Sequence, residues 1–152
     1  MKPTLLPLLA AVAAGCSAAA PEPVSTAGAI TPREAIVAAA DAAPAGIDAL
    51  FALRVQAAGR NGGRVYLNSE RDYRDQRNLT INVAPDAASA LRHRYGAPPD
   101  RFFVGRTIRV RGTARRVRID FVTDGRPSGR YYYQTHVAVT DPDQISLVDE
   151  AG

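Results

Sequence analysis

One cysteine, one methionine, one lysine and no tryptophan occur among the 152 residues. A single cysteine excludes an intramolecular disulfide and a zinc site built on several thiolates. Aromatic residues make up only 7%. No apolar run approaches the ~20 residues of a membrane-crossing helix, which excludes a polytopic membrane protein. Only two histidines are present, His93 and His136. There is no Gly-x-Ser-x-Gly, His-Glu-x-x-His, phosphate-loop or dinucleotide fingerprint. The sequence therefore points to a non-enzymatic protein without a cofactor. Hydrophobic residues at 46% and charged residues at 22% are ordinary for a globular domain and exclude wholesale disorder.

The shortage of lysine bears on the charge. Basic residues exceed acidic ones by four, and every basic residue except Lys2 is an arginine. Alongside the alanine-rich tracts this reads as the coding bias of a GC-rich genome, so the choice of arginine says little about phosphate recognition. Distribution says more. Between Arg92 and Arg130 eleven arginines face only Asp100, Asp120 and Asp124, a local excess of eight positive charges. Such a stretch attracts polyanions at low salt. A solvated polar sheet face would have the same composition.

Residues 1–20 read as an export signal. Lys2 forms a minimal basic start, Leu5 to Val12 an apolar segment, and small residues follow. Two processing routes fit. Ala13-Ala14-Gly15-Cys16 resembles a lipobox, which makes Cys16 the lipidated first residue and anchors the protein to a membrane. Ordinary cleavage near Ala18-Ala19-Ala20 would release it. Either route predicts an exported, periplasmic or membrane-anchored protein. Residues 21–31 have the Pro, Ser, Thr and Gly content of a tether, and 32–150 form the domain.

Thr31-Pro32-Arg33-Glu34 predicts a helix start with a capping box. From Ile47 the period becomes alternating. Strands are predicted over 47–57, 64–68 and 78–83, with a glycine turn at 59–63. A short helix follows, with Asp86 as N-cap and Gly96 as its C-terminal glycine. A fourth strand spans 105–114, where Gly112 marks a bend or bulge. The apolar row then changes parity, from Ile108 and Val110 to Val117, Ile119 and Phe121. This predicts a bulge or break near Arg115-Arg116. A hairpin over 116–139 would place Val117 opposite Val137, Ile119 opposite Thr135, Phe121 opposite Tyr133 and Asp124 beside Arg130. It would bury Tyr131 and Tyr133 and leave Tyr132 outside. A last strand covers 145–148. The expected architecture is mainly β: a five-stranded Greek-key barrel of the OB type, with a helix between strands 3 and 4, an extended 116–139 hairpin and a short N-terminal helix. A small β-sandwich is the alternative.

Three segments carry a family resemblance. Val65-Tyr66-Leu67-Asn68-Ser69-Glu70 with Tyr73-Arg74 and Asn78-Leu79-Thr80 is similar to the second and third strands of small bacterial exported OB-fold domains. Gly105-Arg106-Thr107-Ile108-Arg109-Val110-Arg111-Gly112 resembles their fourth strand, "G-K-T-I-R-V-x-G". Thr140-Asp141-Pro142-Asp143-Gln144-Ile145 resembles their closing "DPxQI". The likeness spans about residues 47–148 and implies the fold; the 116–139 hairpin is longer here than in those relatives.

In an OB barrel, ligands meet strands 2 and 3 and the flanking loops. The predicted ligand-binding residues are Arg60, Arg64, Tyr66, Asn68, Thr80, Asn82, Arg126, Arg130 and Tyr132. Asn61 rims the first loop and Asn78 stands at the start of the third strand. Arginines among tyrosines suit single-stranded nucleic acid or another polyanion. An envelope protein or glycan is the alternative partner. Glu70, Asp72 and Asp75 offer oxygens for a weak calcium site, but with Arg71, Arg74 and Arg77 they read more simply as a self-neutralised loop. No metal is predicted.

Overall fold

The computed structural model describes residues 28–148. The leader, Cys16, most of the tether and the last residues of the domain lie outside them. Helix α1 (Pro32–Asp41) begins as its sequence dictates. Thr31 Oγ1 accepts from the Glu34 N–H, and Glu34 Oε2 accepts from the Thr31 N–H at 2.8 Å. Ala35 and Ala39, one turn apart, are fully buried, and these small side chains let the helix lie close on the sheet. Just before it, Ile30 bridges Phe51 in parallel, so the end of the tether segment is tied to the domain.

Seven strands form one sheet: β1 (Ile47–Arg54), β2 (Ala57–Asn61), β3 (Arg64–Asn68), β4 (Leu79–Val83), β5 (Thr107–Thr123), β6 (Arg126–Val139) and β7 (Ile145–Leu147). The ladder order is β1-β5-β6-β4-β3-β2, with β7 also on β5. The β4–β6 pair is parallel; the others are antiparallel. The fold is mainly β, with a seven-stranded sheet where a closed five-stranded barrel was expected, and its ladder is open because no pairing joins β1 to β2. These two end strands are consecutive in the chain. The strand expected over 47–57 divides at Val55-Gln56, where the partner changes. The Val55 N–H donates to Arg106 O and its carbonyl accepts from Gly105 N, whereas the Gln56 N–H donates to Asn68 O. Asn61-Gly62-Gly63-Arg64 then turns the chain, both glycines having positive φ.

Helix α2 (Pro85–Tyr95) lies between β4 and β5 as expected, but its N-cap is Ala84, not Asp86. Pro85 takes the first helical position, where its preset φ and missing N–H cost nothing. Leu91 enters the core, and Gly96 ends the helix at φ 72°. A single-turn helix, α3 (Pro99–Phe102), seats Phe102 against Tyr95 at 4.4 Å between ring centroids. The core joins Phe51, Leu67, Leu79, Ile81, Val110, Val137 and Ile145 with the buried faces of α1 and α2.

The long hairpin corrects several expectations. β5 runs unbroken through Arg115-Arg116, and Ala114 pairs with Val137, Arg115 with His136 and Ile119 with Tyr132. The expected register is three residues off, which exchanges the faces. The irregularity lies between Asp120 and Val122, opposite a segment containing Gly129 at φ 80°. Asp124 and Gly125, both at positive φ, make a two-residue turn closed by the Thr123–Arg126 pair, so Asp124 does not stand opposite Arg130 as expected. Gly112 pairs regularly with Ala49. It is small because a Cβ there would stand 2.9 Å from Val137 Cγ1. The physical reason for the register error is that the ribbon outruns the core. Beyond Ala114 the even-numbered residues Arg116, Arg118, Asp120 and Val122 are exposed, so that apolar row ends. The odd-numbered residues Val117 and Ile119 stay on the outer face. Tyr131 and Tyr133 are therefore 49% and 40% exposed, while Tyr132 is half-buried. Arg116 stacks on Tyr133 and Arg118 on Tyr131, with the guanidinium carbon 3.8 and 4.1 Å from the ring centroids. Arg118 pairs with Asp120.

Candidate nucleic-acid interface

Strand register sets the outer face. Asn68 pairs with Thr80, Thr80 with His136, and His136 with Arg115, so these four form one row across β3, β4, β6 and β5. The neighbouring row carries Tyr66 and Asn82. On the other side the part of the β5–β6 hairpin beyond Ala114, the arm, supplies Ile119, Tyr132 and Gln134. Together with Gly59, Arg60, Asn61 and Tyr73, these residues other than Arg115 and Asn82 line a cavity of about 520 Å³. Two smaller depressions adjoin it. One, toward α2, shares Arg60 and Asn61 and is lined by Arg92. The other, toward Gln144, shares His136 and is lined by Asn82, Arg115 and Val117.

The floor is polar and ordered. Asn78 is 2% exposed and organises it. Its oxygen accepts from the Glu70 N–H at 3.0 Å, and its nitrogen donates to Thr80 Oγ1 at 2.9 Å and Asn68 Oδ1 at 3.1 Å. Ser69 Oγ accepts from the Leu79 N–H. On the arm side, Gln134 Nε2 donates to Tyr73 O and to Tyr132 OH, while Gln134 Oε1 lies 2.7 Å from His136 Nε2. Burial holds the His136 imidazole below its ordinary pKa and so favours the neutral ring.

The 69–77 loop that carries Tyr73 is tied by its own charges. Asp72 and Asp75 accept from the Arg74 and Arg77 N–H groups. The Arg77 guanidinium grips Asp75 and lowers its carboxyl to about 2. Arg74 lies over the Tyr73 ring at 4.4 Å. Among the described residues no group of three acidic, histidine or cysteine side chains is placed to hold a metal ion.

Of the predicted residues, Arg60, Tyr66, Asn68, Thr80 and Tyr132 line the cavity. Arg60 also pairs with Asp100, which raises the guanidinium pKa further and lowers the carboxyl. Asn68 and Thr80 are floor residues, more deeply buried than outward-facing strand positions suggest. Arg64 donates to Asn82 Oδ1 at 3.2 Å beside the cavity. Arg126 and Arg130 do not line it; they sit at the arm tip, where Arg130 stands 5.6 Å from the Phe121 ring. Sequence reasoning left His136, Gln134, Ile119 and Tyr73 out of the ligand-binding set. The signal for Ile119 was lost with the register error, whereas Gln134 and His136 share the outward alternation of Tyr132 but had no ligand role attached to them. Tyr73 had no signal beyond being aromatic in a polar loop.

No family model matches this chain, and no curated protein matches it. Among solved structures it is similar to aspartyl tRNA synthetase from Entamoeba histolytica, at TM-score 0.42 and 15% identity, over 72% of this chain and 20% of that one. It is also similar to a chain described as an aspartyl-tRNA synthetase from Leishmania major Friedlin, at TM-score 0.45 and 14% identity, over 92% of this chain and 24% of that one. The chain thus spans about a fifth to a quarter of the length of these two proteins.

Proposed function

We infer that the protein is a non-enzymatic binding module for single-stranded nucleic acid, built on an OB-type barrel. On this reading β1 and β2 are two halves of one bent first strand, and β3 to β6 are the other four. The parallel β4–β6 pair, the helix between β4 and β5, and the exchange of partners at Val55-Gln56 support it. The observation that carries the function is the cavity on the β2-β3-β4-β6 face, with Tyr66, Tyr73 and Tyr132 in its walls. Flat rings stack bases of any sequence, at about 1–3 kcal/mol per base. Arginines beside it, Arg60, Arg64, Arg92 and Arg115, supply attraction for phosphates. The leader and Cys16 support export, with a lipid anchor if Cys16 is acylated.

Fluorescence anisotropy of a labelled single-stranded DNA, titrated at low and moderate salt, tests this function. Binding that weakens as salt rises is expected; no binding at low salt refutes it. The exposed Phe121, Val122, Tyr131 and Tyr133 of the arm favour a second reading, an envelope protein partner. That reading predicts crosslinks from the arm to an envelope protein in intact cells and indifference to nucleic acid.

A further inference from the structure

Backbone groups of the 69–77 loop and its borders fix the polarity of the cavity. The Glu70 N–H holds the Asn78 oxygen, so the Asn78 nitrogen faces the opposite way, toward Thr80 and Asn68. Asn68 Oδ1 accepts from that nitrogen and, at 3.0 Å, from the Thr80 hydroxyl. With its oxygen occupied twice, Asn68 has only its nitrogen left to offer. That nitrogen has no protein partner among the described residues, although the residue is only 6% exposed and lines the cavity. The nitrogen is not sealed from solvent, unlike Arg109 Nε, so it is a donor open to the cavity and available to a ligand there. The same logic operates across the cavity. The Tyr73 carbonyl orients Gln134, so Gln134 Oε1 faces His136 and accepts the proton on Nε2. His136 Nδ1 is then an acceptor.

A phosphate fits this floor badly. The only guanidinium in the lining is Arg60, at the rim and already paired with Asp100. A planar heteroaromatic ring fits well, because the walls are Tyr66, Tyr73, Tyr132 and Ile119 and the volume is in the range of small-molecule pockets. We propose that the cavity takes one unstacked nucleobase, whose edge accepts a hydrogen bond from the Asn68 amide nitrogen while arginines outside the cavity hold the neighbouring phosphates. This rests on the nucleic-acid reading, in which the cavity's tyrosines stack bases, and adds the group that contacts the base edge, the Asn68 amide nitrogen.

The test uses the full chain, labelled with ¹⁵N, and two strands of equal length. One is a thymidine homopolymer; the other carries abasic sugars on the same phosphates. The Asn68 side-chain amide signal, identified by its loss in Asn68→Asp, is followed in the wild type. It is expected to shift with the base-bearing strand and to stay in place with the abasic one. The base-bearing strand is also expected to bind at least about tenfold more tightly. Asn68→Asp keeps the oxygen that Asn78 and Thr80 use and removes the donor, so it narrows that ratio. Asn82→Asp adds the same charge one row away and weakens both strands alike. An Asn68 signal unmoved by the base-bearing strand, or moved equally by the abasic one, overturns the proposal while binding itself upholds the broader reading. If neither strand binds at low salt, both fall.

Discussion

Replacing Asn78 by alanine is expected to cost about 3 kcal/mol of folding free energy, although the residue is uncharged and belongs to no ion pair. The side chain is 2% exposed and makes three well-formed hydrogen bonds, to Thr80 Oγ1, Asn68 Oδ1 and the Glu70 N–H, at 2.9–3.1 Å. Each contributes about 1 kcal/mol net. The partners left behind are costly in proportion to their burial. Glu70 lies near enough to solvent for water to recover part of its loss, whereas Asn68 and Thr80 do not. For a domain of this size, about 3 kcal/mol lowers the melting temperature by roughly 10 °C. Urea unfolding followed by far-UV circular dichroism measures it, since there is no tryptophan to report. Asn82→Ala is the control: it loses only the exposed bond to Arg64 and is expected to change stability by less than about 0.5 kcal/mol. An Asn78→Ala midpoint equal to that of Asn82→Ala would refute the idea that Asn78 organises the floor.

Further outcomes follow from burial and backbone geometry. His136 is held below its ordinary pKa by burial. The unfolded chain therefore takes up a proton before the folded one does, and stability is expected to fall as pH drops below about 6.5. His136→Gln preserves a donor toward Gln134 and should flatten that dependence in urea unfolding; an unchanged slope counts against it. Gly46 has φ 79°, and a Cβ there would lie 2.5 Å from the Ala114 carbonyl oxygen. Gly46→Ala is expected to destabilise by about 2 kcal/mol or more, and a neutral result in thermal unfolding contradicts that packing. Tyr133→Ala is expected to cost under about 1 kcal/mol, because the ring is exposed and its partners are the Arg116 guanidinium and the exposed Tyr131 ring. A loss of about 3–5 kcal/mol, the cost of emptying a core aromatic site, would restore the register predicted from sequence.

Much of the fold was legible where one local rule decided it. The Thr31 capping box, the alternation in 64–68 and 79–83, the helix ending at Gly96 and the short last strand all depend on a few adjacent residues. Tyr66, Asn68 and Thr80 followed from the same alternation. The hairpin did not follow, because its apolar odd-numbered residues were assigned to the core. Val117 and Ile119 instead line depressions on the outer face. The change of parity in the sequence marked the start of a groove, not a break in the strand. The partition of the first strand at Val55-Gln56 depends on which distant strands compete for its backbone, and neighbours in sequence do not encode that. In the sequence Asn78 is only the polar residue that starts the third strand; the contacts of the 69–77 loop make it a buried hub.

Amide chemical-shift mapping of the ¹⁵N-labelled protein with a short single-stranded DNA tests the location of the site most directly. The account predicts shifts at Gly59, Tyr66, Asn68, Thr80, Gln134 and His136, with α1, β1 and β7 unmoved. Shifts concentrated on those three elements, with the β3–β4–β6 row silent, would contradict it.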